Sequence, residues 1–254
     1  MTYTPPPPQP SLPQGGPGQF PTPAPGTDLG SDLGASLRFA WNALLRNWVP
    51  FLIAGLIYSV VLGVILIGGM IGGMIGMFSS MDTTSTEDPS LGALLLFYAI
   101  AFGAALVCAP FSLLWQSGSA ASAVVIADGG RPTLGQALIG PFRIILTALL
   151  VGLICGVGMI LLYIPGIIAS VLLMFAIPAA ARGASPVEAL KQSVSLVRNN
   201  LGTSIVALLV VSGITMVASF VVVSLIALVP FMMLVQVALF ERLNGRELPE
   251  PARA

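Results

Sequence analysis

IILTALLVGLICGVGMILLYIPGIIASVLLMFAIPAAA, residues 144–181, carries no charged side chain and is bounded by Arg143 and Arg182. A helix rises about 1.5 Å per residue and a bilayer's hydrocarbon core is about 30 Å thick. The stretch is therefore about twice as long as one crossing needs. Tyr163-Ile164-Pro165-Gly166, near its middle, reads as a tight outer turn, so the whole reads as a hairpin of two membrane helices. Three further stretches are free of charge: residues 47–81, 89–127 and 199–240. The last is again long enough for two crossings. The sequence thus predicts an all-α integral membrane protein with six transmembrane helices, at roughly 49–77, 91–114, 144–162, 165–181, 202–222 and 225–240.

Composition agrees. Apolar residues make up 56% of the 254 and charged residues 8%, where soluble domains carry about 25% charged residues. The net charge is zero, which argues against nucleic acid as a partner, since that calls for a basic stripe. Basic residues fall at Arg38 and Arg46, at Arg131 and Arg143, at Arg182, Lys191 and Arg198, and at Arg242, Arg246 and Arg253. The loop between the first two spans holds Asp82, Glu87 and Asp88 and no basic residue. By the positive-inside rule the basic clusters are cytoplasmic, the acidic loop lies outside, and both termini face the cytoplasm. Residues 1–30 have neither the basic nor the apolar region of a signal peptide, so the first span is expected to act as an uncleaved anchor. Cys108 and Cys155 sit within apolar spans at no metal-ligand spacing. The chain has no histidine, which removes the commonest general base and metal ligand. No cofactor and no metal are expected.

Residues 1–31 form a Pro/Gly-rich tail, expected to be disordered with polyproline II character. Within it Pro10-Ser11-Leu12-Pro13 fits the PxxP pattern read by aromatic grooves in partner domains; the alternative is a solvated spacer. Residues 32–244 form the membrane domain, and 245–254 a short cytoplasmic tail. The domain reads as three repeats, about 32–128, 133–182 and 185–242. Each opens on a helix-capping residue (Asp32, Thr133, Ser185) with a leucine five positions later (Leu37, Leu138, Leu190). Thr133 with Gln136, and Ser185 with Glu188, fit the capping box. Each repeat holds two crossings, so the three hairpins run parallel, related by an axis along the membrane normal.

An amphipathic helix precedes each odd span. In the first, Leu33, Leu37, Leu44, Leu45 and Trp48 oppose Arg38, Asn42 and Arg46. The second is shorter, with Leu134, Leu138 and Phe142 ahead of Arg143. In the third, Val187, Leu190, Val194, Val197 and Leu201 oppose Glu188, Lys191, Ser195 and Arg198. Arg38, Arg46, Arg143, Lys191 and Arg198 are accordingly candidates for contact with anionic lipid headgroups; packing across the cytoplasmic ends of the bundle is the alternative. Gly68, Gly72 and Gly76, and again Gly152 and Gly156, are candidate helix-packing positions, within one bundle or in a homo-oligomer. Pro110, Pro178 and Pro230 are expected to kink their helices. Gln116 and Gln236 are expected to hydrogen-bond between helices. No ionisable residue falls securely within a span, which weighs against a proton-coupled transporter.

From Tyr163 to Leu201 the chain resembles the membrane domain associated with bacterial glycerophosphoryl diester phosphodiesterases. The likeness rests on Ile164-Pro165-Gly166, an apolar helix ending at Pro178, Ala189-Leu190, Ser193, Leu196-Val197 and Asn200. The proline- and glycine-rich head joined to such a bundle is similar to actinobacterial proline- and glycine-rich transmembrane proteins. The resemblance implies a bundle in a bacterial cytoplasmic membrane. It carries no activity over, because the phosphodiesterase site sits in a separate soluble domain that needs histidine and metal-binding carboxylates. Family members also place an arginine after the Pro-Gly turn, where this chain has Leu172 and Leu173. The expected role is a non-enzymatic scaffold or accessory protein that recruits a cytoplasmic partner through its tail or organises anionic lipid. The alternative is a carrier or flippase for an uncharged or lipid-like substrate.

Overall fold

The computed structural model describes residues 23–79, 89–220 and 224–251. Within them the chain forms ten helices and no strand: α1 (Leu29–Arg46), α2 (Trp48–Ser79), α3 (Leu91–Ala127), α4 (Leu134–Leu138), α5 (Phe142–Leu161), α6 (Tyr163–Leu172), α7 (Ala176–Ala181), α8 (Pro186–Asn199), α9 (Leu201–Ala218) and α10 (Ser224–Leu243). Six segments are long and apolar enough to cross a membrane: α2, α3, α4 with α5, α6 with α7, α9, and Ile226–Leu243 of α10. The protein is therefore a helical, multi-pass membrane protein by length and composition. The loop acids Asp82, Glu87 and Asp88, the PxxP segment and Arg253 lie outside the described residues.

The spans differ in length. α5, α9 and α10 have 18–20 residues, about the 30 Å of a hydrocarbon core at 1.5 Å per residue. α2 has 32 residues and α3 has 37, so each exceeds that thickness by roughly 20 Å. Near the overhang, the Tyr58 ring of α2 stacks on Trp115 of α3 at 5.8 Å, and its hydroxyl donates to the Leu138 carbonyl at 2.7 Å. A buried Tyr needs such a partner for its polar end.

Buried residues concentrate at one end of the bundle. Ser117–Ala127 of α3, Ala176–Ala180 of α7, Leu234–Phe240 of α10 and Leu33–Ala43 of α1 supply most of two contiguous clusters. The other end carries its large apolar side chains on the surface: Ile160 is 86% exposed and Phe220 82%. That is the surface a lipid-embedded helix presents.

Three helices end alike. After α3, Gly129 (φ +78°) donates its N–H to Ile126 and Gly130 donates to Val125. After α7, Gly183 (φ +111°) donates to Ala180 and Ala184 to Ala179; after α10, Gly245 (φ +78°) donates to Arg242 and Arg246 to Glu241. Each is a Schellman termination, which places a residue in the left-handed region and so selects glycine. Two helix junctions also match. Asn47 (φ −122°, ψ 36°) separates α1 from α2, and Asn200 (φ −130°, ψ 43°) separates α8 from α9. Both return their side-chain amide to a carbonyl four residues earlier at 3.1 Å. The second unit enters differently, through extended Ile139 and Pro141.

The starts depart from expectation at two of three places. Thr133 and Gln136 form the reciprocal capping box. The cap of α1 is Asp28, whose carboxylate accepts from Ser31 at 2.7 Å, and Asp32 is a buried first-turn residue. The turn at residues 25–27 brings the chain in early enough for Asp28 to serve. α1 thus begins ahead of Asp32, and residues 23–31 belong to the fold rather than to the tail. Ser185 caps α8 by position without a side-chain bond. At the other terminus, Leu248 packs against the core and Pro251 is buried, so residues 245–251 lie against the bundle.

Candidate functional site

The buried end is held by an ionic cluster. Arg182, the C-cap of α7, donates through Nη1 to both carboxylate oxygens of Asp128, the C-cap of α3, at 2.7 and 2.8 Å. Its Nε bonds Glu241 of α10. Arg246 bonds the other Glu241 oxygen at 2.9 Å and lies 3.9 Å from Asp128. Beside this group, Arg242 Nε donates to Asp32 of α1 at 2.8 Å, with the two side chains 9% and 2% exposed. The Gly26 N–H donates to both Asp32 oxygens at 3.1 and 3.0 Å. Burial works against the charge on Arg182, but its bonds to Asp128 and Glu241 outweigh that and raise its pKa above the ordinary guanidinium value. Three arginines and three carboxylates balance, so the cluster itself is neutral despite its charge density.

Sequence reading missed this cluster. Apart from the local Glu241–Arg246 pair, its partners are separated by 54 to 210 residues, and spacing along the chain carries no sign of such pairings. One signal existed: Asp128, Glu241 and Asp32 stand among or beside apolar runs, where a charge is costly unless paired.

The five candidate headgroup cations divide. Arg38, Lys191 and Arg198 are exposed and make no hydrogen bond or ion pair among the described residues. Arg46 is held by Glu250 and the Pro251 carbonyl of the C-terminal segment. Arg143 is exposed but directs Nε to the Ala180 carbonyl at 3.1 Å. Lys191 and Arg198 line, with Leu190, Val194, Ser195 and Asn199, a shallow open concavity of about 440 Å³ on α8.

The amphipathic faces are rotated from expectation. α8 buries Ala189, Ser193 and Val197, while Val187 is 59% exposed. α1 buries Leu33, Ser36, Phe39, Ala40 and Ala43, leaving Leu45 and Trp48 exposed together with Trp41. Small residues win the buried face because they let helices approach closely. Large apolar residues are free to face lipid.

Between α6 and α7 the fourth span breaks at Leu173–Phe175. Pro178 stands in the first turn of α7 and cannot donate to a carbonyl one turn earlier. The break therefore precedes Pro178, which is not in the middle of a continuous helix. Pro110 and Pro230, by contrast, lie inside α3 and α10, which continue past them. Ser193 of α8 closes the break: fully buried, it donates to Leu172 O at 2.7 Å and accepts from Phe175 N–H at 3.1 Å. Serine makes such interhelical bridges where glutamine was expected to. Ser117 likewise accepts from Gly140 N–H at 3.2 Å, while Gln116 and Gln236 make no bond among the described residues.

The glycine assignments need correction. On α2 the positions packed against α3 are Gly69, Gly73 and Gly76: added Cβ atoms would lie 2.3 Å from Ala104 Cβ, 3.0 Å from Phe97 and 3.3 Å from Leu96 and Ile100. Gly72 makes only a distant approach to Ile100, and Gly68, Gly152 and Gly156 meet nothing within 4 Å. A face followed at steps of four and three tracks the 3.6-residue turn better than steps of four alone. In the second hairpin the close approach is at Gly158, where a Cβ would lie 2.9 Å from Gly166 Cα.

Among the described residues no three His, Cys, Asp or Glu side chains gather as a metal site. No family model, curated protein or solved structure matches this chain.

Proposed function

We propose that this chain is a non-catalytic scaffold or accessory protein of a bacterial cytoplasmic membrane, one that organises anionic lipid at its basic end and recruits a cytoplasmic partner through its proline-rich N-terminal segment. One observation carries the lipid half: the cations separate into a set balanced by carboxylates and an unpaired, exposed set. Arg182, Arg242 and Arg246 are satisfied by carboxylates. Arg38 and Lys191 with Arg198 stand exposed on the amphipathic helices α1 and α8. Exposed cations on amphipathic helices favour anionic headgroups by about 1 kcal/mol each.

The three-hairpin reading is supported by the three Schellman ends and the two matching asparagine junctions. All of these lie at the basic end, which supports a common side for both termini. The likeness of residues 163–201 to the phosphodiesterase-associated membrane domain fits the same bundle.

The lipid reading is tested by purifying the full chain from mixed-lipid membranes and measuring the lipid retained. Anionic lipid should be enriched over its bulk fraction, and the triple variant Arg38→Gln, Lys191→Gln, Arg198→Gln should remove the enrichment. Retention at the bulk ratio overturns it. For the tail, the shortened chain should start at Pro23, which keeps the contact of Gly26 with Asp32. A partner lost with residues 1–22 supports recruitment; an unchanged set of partners counts against it. Sidedness is tested by Arg131→Cys and Lys191→Cys. An impermeant thiol probe that reaches either from outside intact cells would refute cytoplasmic termini.

The carrier reading has its own support in the discontinuous span α6–α7, since broken helices build substrate sites in many transporters. Movement of an uncharged or lipid-like substrate across vesicles holding the chain, above that of empty vesicles, would favour it.

A further inference from the structure

α9 and α10 touch sparsely, and the gap between them is walled by α1. The groove so formed holds about 180 Å³ and is lined by Trp41 and Leu44 of α1, Ile214 of α9, and Leu228 and Phe231 of α10. Trp41 meets Phe231 edge to face at 6.4 Å and 82°, yet the residue remains 56% exposed. These lining side chains offer almost no polar surface. A dry apolar cavity of roughly 150 Å³ already takes up a benzene-sized hydrocarbon, so the groove suits a hydrocarbon chain. A helix, about 10 Å across with its side chains, does not fit such a volume, which argues against a second protein copy.

The groove has a charged neighbour. Arg38 precedes Trp41 by one turn on the same exposed face of α1, which continues through Asn42 and Leu45. One turn is about 5 Å along the axis, within the reach of an arginine side chain. Its guanidinium makes no bond among the described residues, unlike those of Arg46 on the same helix and Arg242 on α10. An amphipathic tryptophan between a cation and an apolar slot matches the chemical order of an anionic phospholipid at the membrane interface: phosphate, glycerol region, acyl chain.

We propose that the α1–α9–α10 groove is a binding site for one anionic phospholipid, its acyl chain in the groove beside Trp41 and its phosphate at Arg38. The site rests on the lipid half of the reading above and locates it. The groove between α9 and α10 is then a lipid seat, and the sparse contact between these helices is its consequence.

The test uses the full chain in phosphatidylcholine vesicles doped with a trace of phosphatidylglycerol brominated on its acyl chains. Bromine quenches only nearby indoles, and the share lost in Trp41→Phe is the Trp41 signal. Brominated phosphatidylglycerol should quench that share well beyond the same mole fraction of brominated phosphatidylcholine. Arg38→Gln should reduce the preference about fivefold, the contribution of one cation at an anionic surface. Leu228→Phe, which narrows the groove without adding an indole, should reduce quenching by both lipids. Equal quenching by both lipids in the parent chain overturns the site, as does a preference that survives Arg38→Gln. If narrowing the groove perturbs folding, the comparison of the two lipids and the Arg38→Gln arm decide alone. Enrichment of anionic lipid on the purified chain with equal quenching at Trp41 refutes the groove and spares the wider reading; no enrichment refutes the wider reading itself.

Discussion

The α2–α3 pair and the α9–α10 pair are both antiparallel neighbours in sequence, yet only the first closes. α2 brings Gly69, Gly73 and Gly76 against Ala104, Phe97, Leu96 and Ile100, and the Tyr58–Trp115 stack adds a second fastening lower down. α9 offers Gly202 and Gly213, and neither meets anything within 4 Å. α10 is held instead by α1 and α3, through the Asp32–Arg242 pair and the apolar cluster around Leu234 and Ala238. Lipid tails are as apolar as leucine, so membrane helices gain little by hiding apolar surface from each other. Close backbone approach or a polar bond must supply the attraction. Between α9 and α10 no glycine gives close approach, and the Thr215 hydroxyl donates only to the weak acceptor Met232 Sδ at 3.8 Å, so a gap remains.

The sharpest way to break the comparison is Asp32→Ala. It strands the buried Arg242 guanidinium and removes the acceptor for Gly26, and should cost about 3–5 kcal/mol, measured as thermal unfolding of the full chain in detergent. The double variant Asp32→Leu, Arg242→Leu should recover most of that loss, since apolar replacement of a buried pair is often neutral. A single-variant loss under about 1 kcal/mol would mean that α10 does not depend on this pair. Next comes Gly69→Val, which places a side chain where Ala104 Cβ stands and should cost about 1–3 kcal/mol. Ala104→Gly in the same chain should restore part of it. Gly68→Val, one position away, should stay within about 0.5 kcal/mol; equal effects of the two would refute the assigned face. Ser193→Ala leaves the Leu172 carbonyl and the Phe175 N–H unpaired and should cost about 1–3 kcal/mol. Faster hydrogen exchange at Phe175 would accompany it. The smallest effect has the opposite sign: Gly213→Ala should stabilise by up to about 1 kcal/mol, because alanine is the better helix former and nothing obstructs it. A loss there would show that α9 has a tight partner.

Much of the architecture was legible because a bilayer imposes its requirement on every residue of a span. Uninterrupted apolar length between Arg143 and Arg182 is visible without knowing any partner. The Thr133–Gln136 cap was legible for the same reason: it is local. What escaped depends on rotation and on distant pairing. Whether Gly68 or Gly69 faces α3 turns on about 100° of helix rotation, which only the partner fixes. That Asp28 and not Asp32 is the cap depends on the turn at residues 25–27. The pairing of Asp128 with Arg182 and of Asp32 with Arg242 joins residues that no periodicity links. The Gly129, Gly183 and Gly245 endings are local, and a glycine just past each helix is the sequence signal for them.

Gly26 shapes how force would travel through the molecule. Its backbone N–H holds Asp32, and a Cβ at this position would crowd the Arg242 carbonyl at 3.2 Å. Tension on the chain ahead of Pro23 would therefore load the Asp32–Arg242 bond and the last turn of α10 directly, before it could unwind α1. A pull applied at Pro23 is thereby felt first at the final helix, as at a post rather than a hinge.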